Sequence, residues 1–298
     1  MSEQTFVQQL VQESLPVWEK CLHSKFLTHL ADGTLDEACF KSYIVEDSLY
    51  LREYAKVFAW GMTKAKDMQT IRTYYSLLSF VNESEDAARL HYLKHFGLTD
   101  EGIQSLPLRP ENRAYVDSMI EAAKNGEGAA ECMMACLPCM LSYGWIFQKL
   151  LEEKPSVQDT LYGALVVDYA DKGYEAACRD WAAFAEKVCE GLSDERLARC
   201  REIFHACSEH ELSFWAMAAS PRSDLLFFLK YKMHPACGQN RSNRVHLFCS
   251  GFRGRNHRHE PSCRKQGNPK TKTPPALLPR EWKRKKPLTE ELSSVKDE

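Results

Sequence analysis

Across the first 220 residues apolar side chains recur with a helical period, and no β-branched alternating run is bounded by turn residues. A chain patterned this way can bury its apolar stripes only by packing helix on helix, so the spacing predicts an all-α fold. Helices are expected at 5–30 with a bend at Pro16, and at 35–65, 66–96, 111–125, 127–154, 157–173, 174–190 and 193–219. Their punctuation is local. The Ala31-Asp-Gly-Thr34 turn separates the first two, and Gly97, lacking a Cβ, suits a left-handed cap. Ser193 is placed as an N-cap, with Asp194 and Glu195 against the positive end of the helix dipole.

The pattern ends abruptly, and the charge changes with it. From Pro221 to Glu298 there are 18 Lys+Arg against 7 Asp+Glu, a balance of +11, whereas the first 220 residues hold 21 against 34, a balance of −13. The basic part carries Pro269, Pro274, Pro275, Pro279 and Pro287 and little periodicity after about Tyr231. The expected organisation is therefore one helical domain over 1–219 and a mostly disordered basic tail over 220–298.

With 44% hydrophobic residues among 298, the chain can build a substantial core. The opening Met1-Ser-Glu-Gln-Thr-Phe6 has no basic stretch followed by an apolar run, so secretion is not expected, and twelve cysteines then read as reduced thiols of a cytoplasmic protein. No membrane span is expected: the most apolar segment, 132–147, is interrupted by Pro138, Ser142 and Tyr143 and falls short of the about 20 residues required.

That segment holds Cys132-x3-Cys136-x2-Cys139, which admits three readings. The triplet matches the spacing of an iron–sulfur site in radical enzymes, Cys136-x-x-Cys139 matches a redox pair, and Cys139 alone can be a nucleophile on a helix wall. A cluster needs an irregular loop and a redox pair an entering strand. Gly126 before and Pro155 after instead punctuate a buried helix, with the three thiols at i, i+4 and i+7 on one face and Pro138 bending it beside the last.

Four further features stand out. In Phe40-x2-Tyr43-x3-Asp47-x2-Tyr50-Leu51-x2-Tyr54 an inward stripe of aromatics contains one carboxylate, which must find a partner or a ligand because burying it alone costs several kcal/mol. Tyrosine hydroxyls would satisfy it without any function. Tyr143 lies one turn after Cys139 on the same side, and Tyr169 sits in Val166-Val-Asp-Tyr169, where an ordinary core tyrosine is the alternative. Glu211 precedes Phe214-Trp215 by one turn and points either inward beside a ring or outward into water.

The first ~218 residues resemble the TenA/thiaminase II family of the haem-oxygenase-like fold, in its cysteine-containing subgroup. The resemblance is carried, in order, by Phe26-x3-Leu30-Ala-Asp-Gly-Thr-Leu35, the Phe40 to Tyr54 stripe, Leu137-Pro-Cys139-x3-Tyr143-x2-Ile146 and Glu211-x2-Phe214-Trp215-x-Met-Ala218. It implies a single helical bundle that binds 4-amino-2-methylpyrimidines substituted at the 5-methylene. Aminomethylpyrimidine would be hydrolysed to the hydroxymethyl compound with loss of ammonia, in thiamin salvage, and thiamin itself is the other substrate implied. Carried over by position, Cys139 is the nucleophile, Glu211 the proton donor and Tyr50 the hydroxyl that raises the cysteine's nucleophilicity. Asp47, Tyr143 and Tyr169 bind the ring, and Tyr115 and Phe214 are pocket aromatics. No cofactor or metal is implied, and a homotetramer is. Two departures are visible: Glu46 stands where a glutamine often precedes the aspartate, and the basic tail has no family counterpart.

The chemistry is consistent. Thiolate addition makes the ring electron-rich enough to expel the methylene substituent while an acid supplies a proton, and a carboxyl kept neutral by apolar surroundings suits that transfer. Two rival functions stand beside it. A di-iron oxidase of the same fold would use inward ligands, for which Glu83, Glu85, His91, His205, Glu209 and His210 are available, but two facing Glu-x-x-His pairs do not assemble from them. A non-catalytic pyrimidine-binding or regulatory protein would use the pocket without turnover. In the tail, Cys237, His246, Cys249, His257, His259 and Cys263 lack the close cysteine pair of structural zinc sites, and Lys283-Arg-Lys-Lys286 reads as a solvated charge run before it reads as a nucleic-acid or targeting patch. The loss of periodicity also admits a read-through or out-of-frame origin for the tail.

Overall fold

The computed structural model of this chain describes residues 4–78 and 87–225. The zinc and basic-run readings of the tail, together with Glu83 and Glu85, lie outside the described residues. Among those described, every regular element is helical.

The chain opens with α1 (Phe6–Leu22), where Thr5 accepts from Gln8 N–H and the Gln8 side chain accepts in return from Thr5 N–H, the reciprocal cap that satisfies two free donors. The single helix expected over 5–30 is in fact two. The helix runs through Pro16 and stops at His23, because the Ser24 hydroxyl caps a new N-terminus by accepting from Leu27 N–H and so starts α2 (Lys25–Ala31). Asp36 caps α3 (Glu37–Lys64), and Asp67 caps α4 (Met68–Leu77). Then come α5 (Ala87–Phe96), α6 (Asp100–Gln104), α7 (Pro110–Asn125) and α8 (Ala129–Glu153). The short α6, started by Thr99, was not expected from the periodicity. Gly97 ends α5 at φ +61°, the left-handed conformation anticipated for it.

The helix expected over 157–173 is also broken. Pro155 opens a 3-10 turn (Pro155–Asp159), and the helical path resumes as α9 (Gly163–Ala170). Asp171 then caps α10 (Lys172–Cys189), and Ser193 caps α11 (Asp194–Ala218) by accepting from Arg196 N–H, as its position implied.

Helix α8 is the axis of the bundle, packed against α1, α3, α7, α9, α10 and α11, with nearly every residue from Ala130 to Phe147 buried. It is long and apolar enough to cross a membrane by composition, but it is the central helix of this packed core. Its first turn is fixed by Glu131, which accepts from Gly128 N–H and is gripped by the Arg196 guanidinium of α11 at 2.8 Å. Where α8 meets α10, a Cβ on Gly144 would lie 2.9 Å from Cys178 Sγ, so the close approach needs a residue with no side chain.

Packing runs past the boundary expected after Ala219. Arg222 and Leu225 are buried, and Arg222 forms an ion pair with the buried Glu46 of α3 while donating to Pro107 O at 2.8 Å. Burial raises the Glu46 pKa, and Asn112 and Arg222 act against it. A carboxylate so placed depends on its cation, and removing one partner of a buried pair costs about 3–5 kcal/mol. A chain ending at Ala219 is therefore expected to melt well below one ending at Leu225. Equal melting temperatures would mean that Arg222 adds no net stability.

Candidate active site

Five helices, α3, α4, α8, α9 and α10, converge on a cavity of about 430 Å³, within the size range of small-molecule sites. From α3 come Asp47, Leu51 and Tyr54, at i, i+4 and i+7 on one face; from α8 come Cys139, Met140 and Tyr143. The end of α9 and the first half of α10 with its cap add Asp168, Tyr169, Asp171, Tyr174 and Trp181, and α4 closes one side with Ser76 and Leu77.

Of the nine cysteines in the described residues, Cys139 is the one that is only partly buried. Cys132 and Cys136 share its helix but lie in the core, and the motif is continuous helix rather than the irregular loop a cluster would need. The α8 backbone is pinned on both sides of Cys139: the Tyr54 hydroxyl donates to Cys136 O at 2.8 Å and the Tyr174 hydroxyl to Met140 O at 3.2 Å. This matters beside Pro138, whose missing N–H weakens the helix at that turn.

The remaining residues singled out in the sequence fall into two groups. Asp47, Tyr143 and Tyr169 line the cavity with Cys139. Tyr143 and Tyr169 meet edge to face at 5.0 Å, and Phe147 stacks behind Tyr169 at 5.2 Å. Tyr50, Tyr115, Glu211 and Phe214 form the layer behind that wall, all buried. There Tyr115 donates from its hydroxyl to Glu211 Oε1 at 2.7 Å and is held between the Tyr50 ring at 5.0 Å and the His210 ring, parallel to it at 5.3 Å. Phe214 packs on Tyr50 and Tyr43 and is not among the residues that line the cavity.

Glu211 joins the two layers. Burial pushes its carboxyl up to about 7, hydrogen bonds from Tyr115 and Cys139 draw it back, and nearby Asp47 adds to the rise. Burial likewise holds the Cys139 thiol well above its ordinary value, with Glu211 adding to the rise and Tyr50 opposing it. The Tyr50 hydroxyl also donates to Met119 Sδ at 3.5 Å. At neutral pH the site thus contains a protonated thiol under the influence of a carboxyl group poised between its two protonation states. That pair can pass a proton as the sulfur becomes a nucleophile.

The aromatic stripe contained the signal for Tyr54, which continues it by one turn. Nothing local pointed to Tyr174, Asp168 or Asp171, which reach the cavity because α9 and α10 fold back over α8. Burial raises the Asp168 pKa and Asp171 adds to it. As for the metal rival, His205 lies between Ser14 Oγ (3.1 Å) and Glu13 Oε2 (2.9 Å), and His210 lies on Tyr115. No three ligand-type side chains cluster among the described residues.

Residues 11–220 match the family described as TENA/THI-4/PQQC. An aminopyrimidine aminohydrolase of Helicobacter pylori is 30% identical over 212 residues, covering 71% of this chain and 97% of that protein. Another, from Halalkalibacterium halodurans, is 29% identical over 219 residues, covering 73% and 97%. A solved structure described as a TenA family transcription regulator from Silicibacter superposes with a TM-score of 0.65 at 25% identity, over 72% of this chain and 97% of that one.

Proposed function

The chain belongs to the TENA/THI-4/PQQC family and is an enzyme, a hydrolase like its aminohydrolase relatives; we propose that it converts 4-amino-5-aminomethyl-2-methylpyrimidine and water into the 5-hydroxymethyl compound and ammonia. The observation that carries the reading is the placement of Cys139 on the cavity wall with Glu211 behind it, whose carboxyl is near neutrality and acts electrostatically on the thiol.

In this reading Glu211 takes the thiol proton as sulfur adds to the ring carbon next to the one bearing the methylene. Protonation of a ring nitrogen lets the added electron density collect at that neighbouring carbon. The carbon–nitrogen bond to the leaving amine then breaks, the amine departs with a proton as ammonia, and an exocyclic methylene remains. Water adds to the methylene, and the carbon–sulfur bond breaks to restore the aromatic ring and the thiol. Asp47 accepts from the ring's exocyclic amine, and Tyr143 and Tyr169 supply the stacking surface. The cavity's described lining contains Asp47, Asp168 and Asp171 and no lysine, arginine or histidine, which favours a substrate whose aminomethyl group carries a proton.

The deciding experiment offers the purified protein aminomethylpyrimidine and thiamin side by side and measures ammonia, hydroxymethylpyrimidine and the released thiazole. Binding of the pyrimidine with no product from either compound would make this a non-catalytic pyrimidine-binding protein. The cytoplasmic setting and the homotetramer are part of the same proposal, and sedimentation reads the second.

Asp47→Asn is expected to raise KM at least about tenfold while changing kcat less, because a charge-assisted acceptor worth roughly 1.5–3 kcal/mol becomes an amide that can present a donor to the ring amine. A fall in kcat at constant KM would instead place Asp47 in the chemistry.

A further inference from the structure

A second buried charged cluster sits one helical turn from Tyr50 and Tyr115. Its members are Glu46 on α3, Asn112 on α7 and Arg222 beyond the end of α11, which are 1%, 0% and 4% exposed. Asn112 Nδ2 donates to both Glu46 O (2.9 Å) and Glu46 Oε2 (2.8 Å), so one amide holds the side chain and the backbone of the same α3 residue. Arg109 N–H also donates to Oε2 at 3.4 Å. Arg222 pairs with the other carboxylate oxygen, and its own position is set by its N–H donating to Ser42 Oγ (2.8 Å), by Nη2 donating to Pro107 O (2.8 Å) and by Asp224.

Periodicity ties this cluster to the chemistry. Glu46 and Tyr50 are four apart on α3, Asn112 and Tyr115 three apart on α7, so each pair shares a helix face. The layer next to the cluster is the contact of Tyr50 with Tyr115, whose hydroxyl holds Glu211. Apolar contacts between helices are non-directional and tolerate sliding, whereas paired hydrogen bonds and a charged pair do not. We infer that Arg222 is a positioning residue: through Glu46 and Asn112 it holds α3 and α7 in the register at which Tyr50, Tyr115 and Glu211 meet behind Cys139. Without its cation the Glu46 carboxylate takes up a proton or draws in water, and the register loosens. The kinetic readout of this role rests on the hydrolase reading above, while the geometry does not.

The test uses the full chain with Arg222→Met, Arg222→Lys and Arg222→Met combined with Glu46→Gln, each first checked for helix content. Two quantities are read: kcat and KM for aminomethylpyrimidine, and the rate of Cys139 alkylation by iodoacetamide, followed by peptide mass spectrometry. Arg222→Met is expected to lower kcat about tenfold or more with KM nearly unchanged, since displacement of catalytic groups by about an ångström has effects up to a hundredfold. It should also slow alkylation, because the Tyr50 hydroxyl no longer assists the thiol. Adding Glu46→Gln should restore both, as a glutamine needs no cation, and Arg222→Lys should fall between. Unchanged kcat and alkylation in folded Arg222→Met, or a loss that Glu46→Gln leaves uncorrected, would overturn the assignment. Should Arg222→Met not fold, Arg222→Lys and the double variant decide on the same readouts. If the unaltered protein releases no product, the hydrolase reading fails, and alkylation alone then decides the role of Arg222.

Discussion

Glu211→Gln is expected to lower kcat by about 10²–10⁴-fold and at the same time to stabilise the protein above neutral pH. Both follow from one buried carboxyl. Its pKa rises from 4.5 to about 7 on folding, chiefly by burial, so the folded state holds the proton more tightly than the unfolded chain does. The stability this contributes is fully present below about pH 4.5 and is lost as pH rises through 7. A shift of that size corresponds to roughly 3 kcal/mol. Glutamine keeps the shape and the acceptor for the Tyr115 hydroxyl but does not ionise, so the loss does not occur. Melting curves of the two proteins should therefore nearly coincide near pH 4.5 and separate progressively to pH 8, with the variant higher; other titrating groups cancel in the difference. The wild-type rate profile should also carry a limb near pH 7 that the variant lacks. Parallel melting curves would mean that the carboxyl titrates normally, and an intact rate would remove Glu211 from the chemistry.

Cys139→Ala should abolish turnover, by more than about a thousandfold, while pyrimidine binding stays within about tenfold. The thiol forms and breaks a bond during the reaction, whereas in the ground state the ring is held by Asp47 and the tyrosines. Cys136→Ala is the control. It removes a sulfur from the same helix three residues earlier, but that residue is wholly buried in the core and does not line the cavity. Its effect should be confined to stability. Equal loss of turnover in the two variants would favour a redox pair, and brown colour with stoichiometric iron after anaerobic purification would favour a cluster.

Much of the local structure was legible because its causes are local. A hydroxyl at Ser193 caps whatever helix follows it, and Gly97 takes a positive φ more readily than any other residue type. The apolar stripe of 127–154 reads as a buried helix because a Gly precedes it and a Pro follows. Where the reading failed, a nearby residue competed with the periodicity: Ser24 offers a cap in the middle of an amphipathic run, and Pro155 starts a tighter turn where a regular helix was expected.

The sequence by itself determined that this chain is an all-helical bundle with an aromatic and acidic stripe and a cysteine-bearing central helix, since helical period, caps and breakers are properties of neighbouring residues. Only the tertiary structure decided which thiol meets the cavity, that Tyr115 on α7 grips Glu211 on α11, and that Arg222 neutralises Glu46 across the expected domain boundary. Those outcomes depend on burial and on pairing between residues far apart in the chain. Desolvation and charge pairing act between groups that folding brings together, and the spacing of residues along one helix carries no record of them.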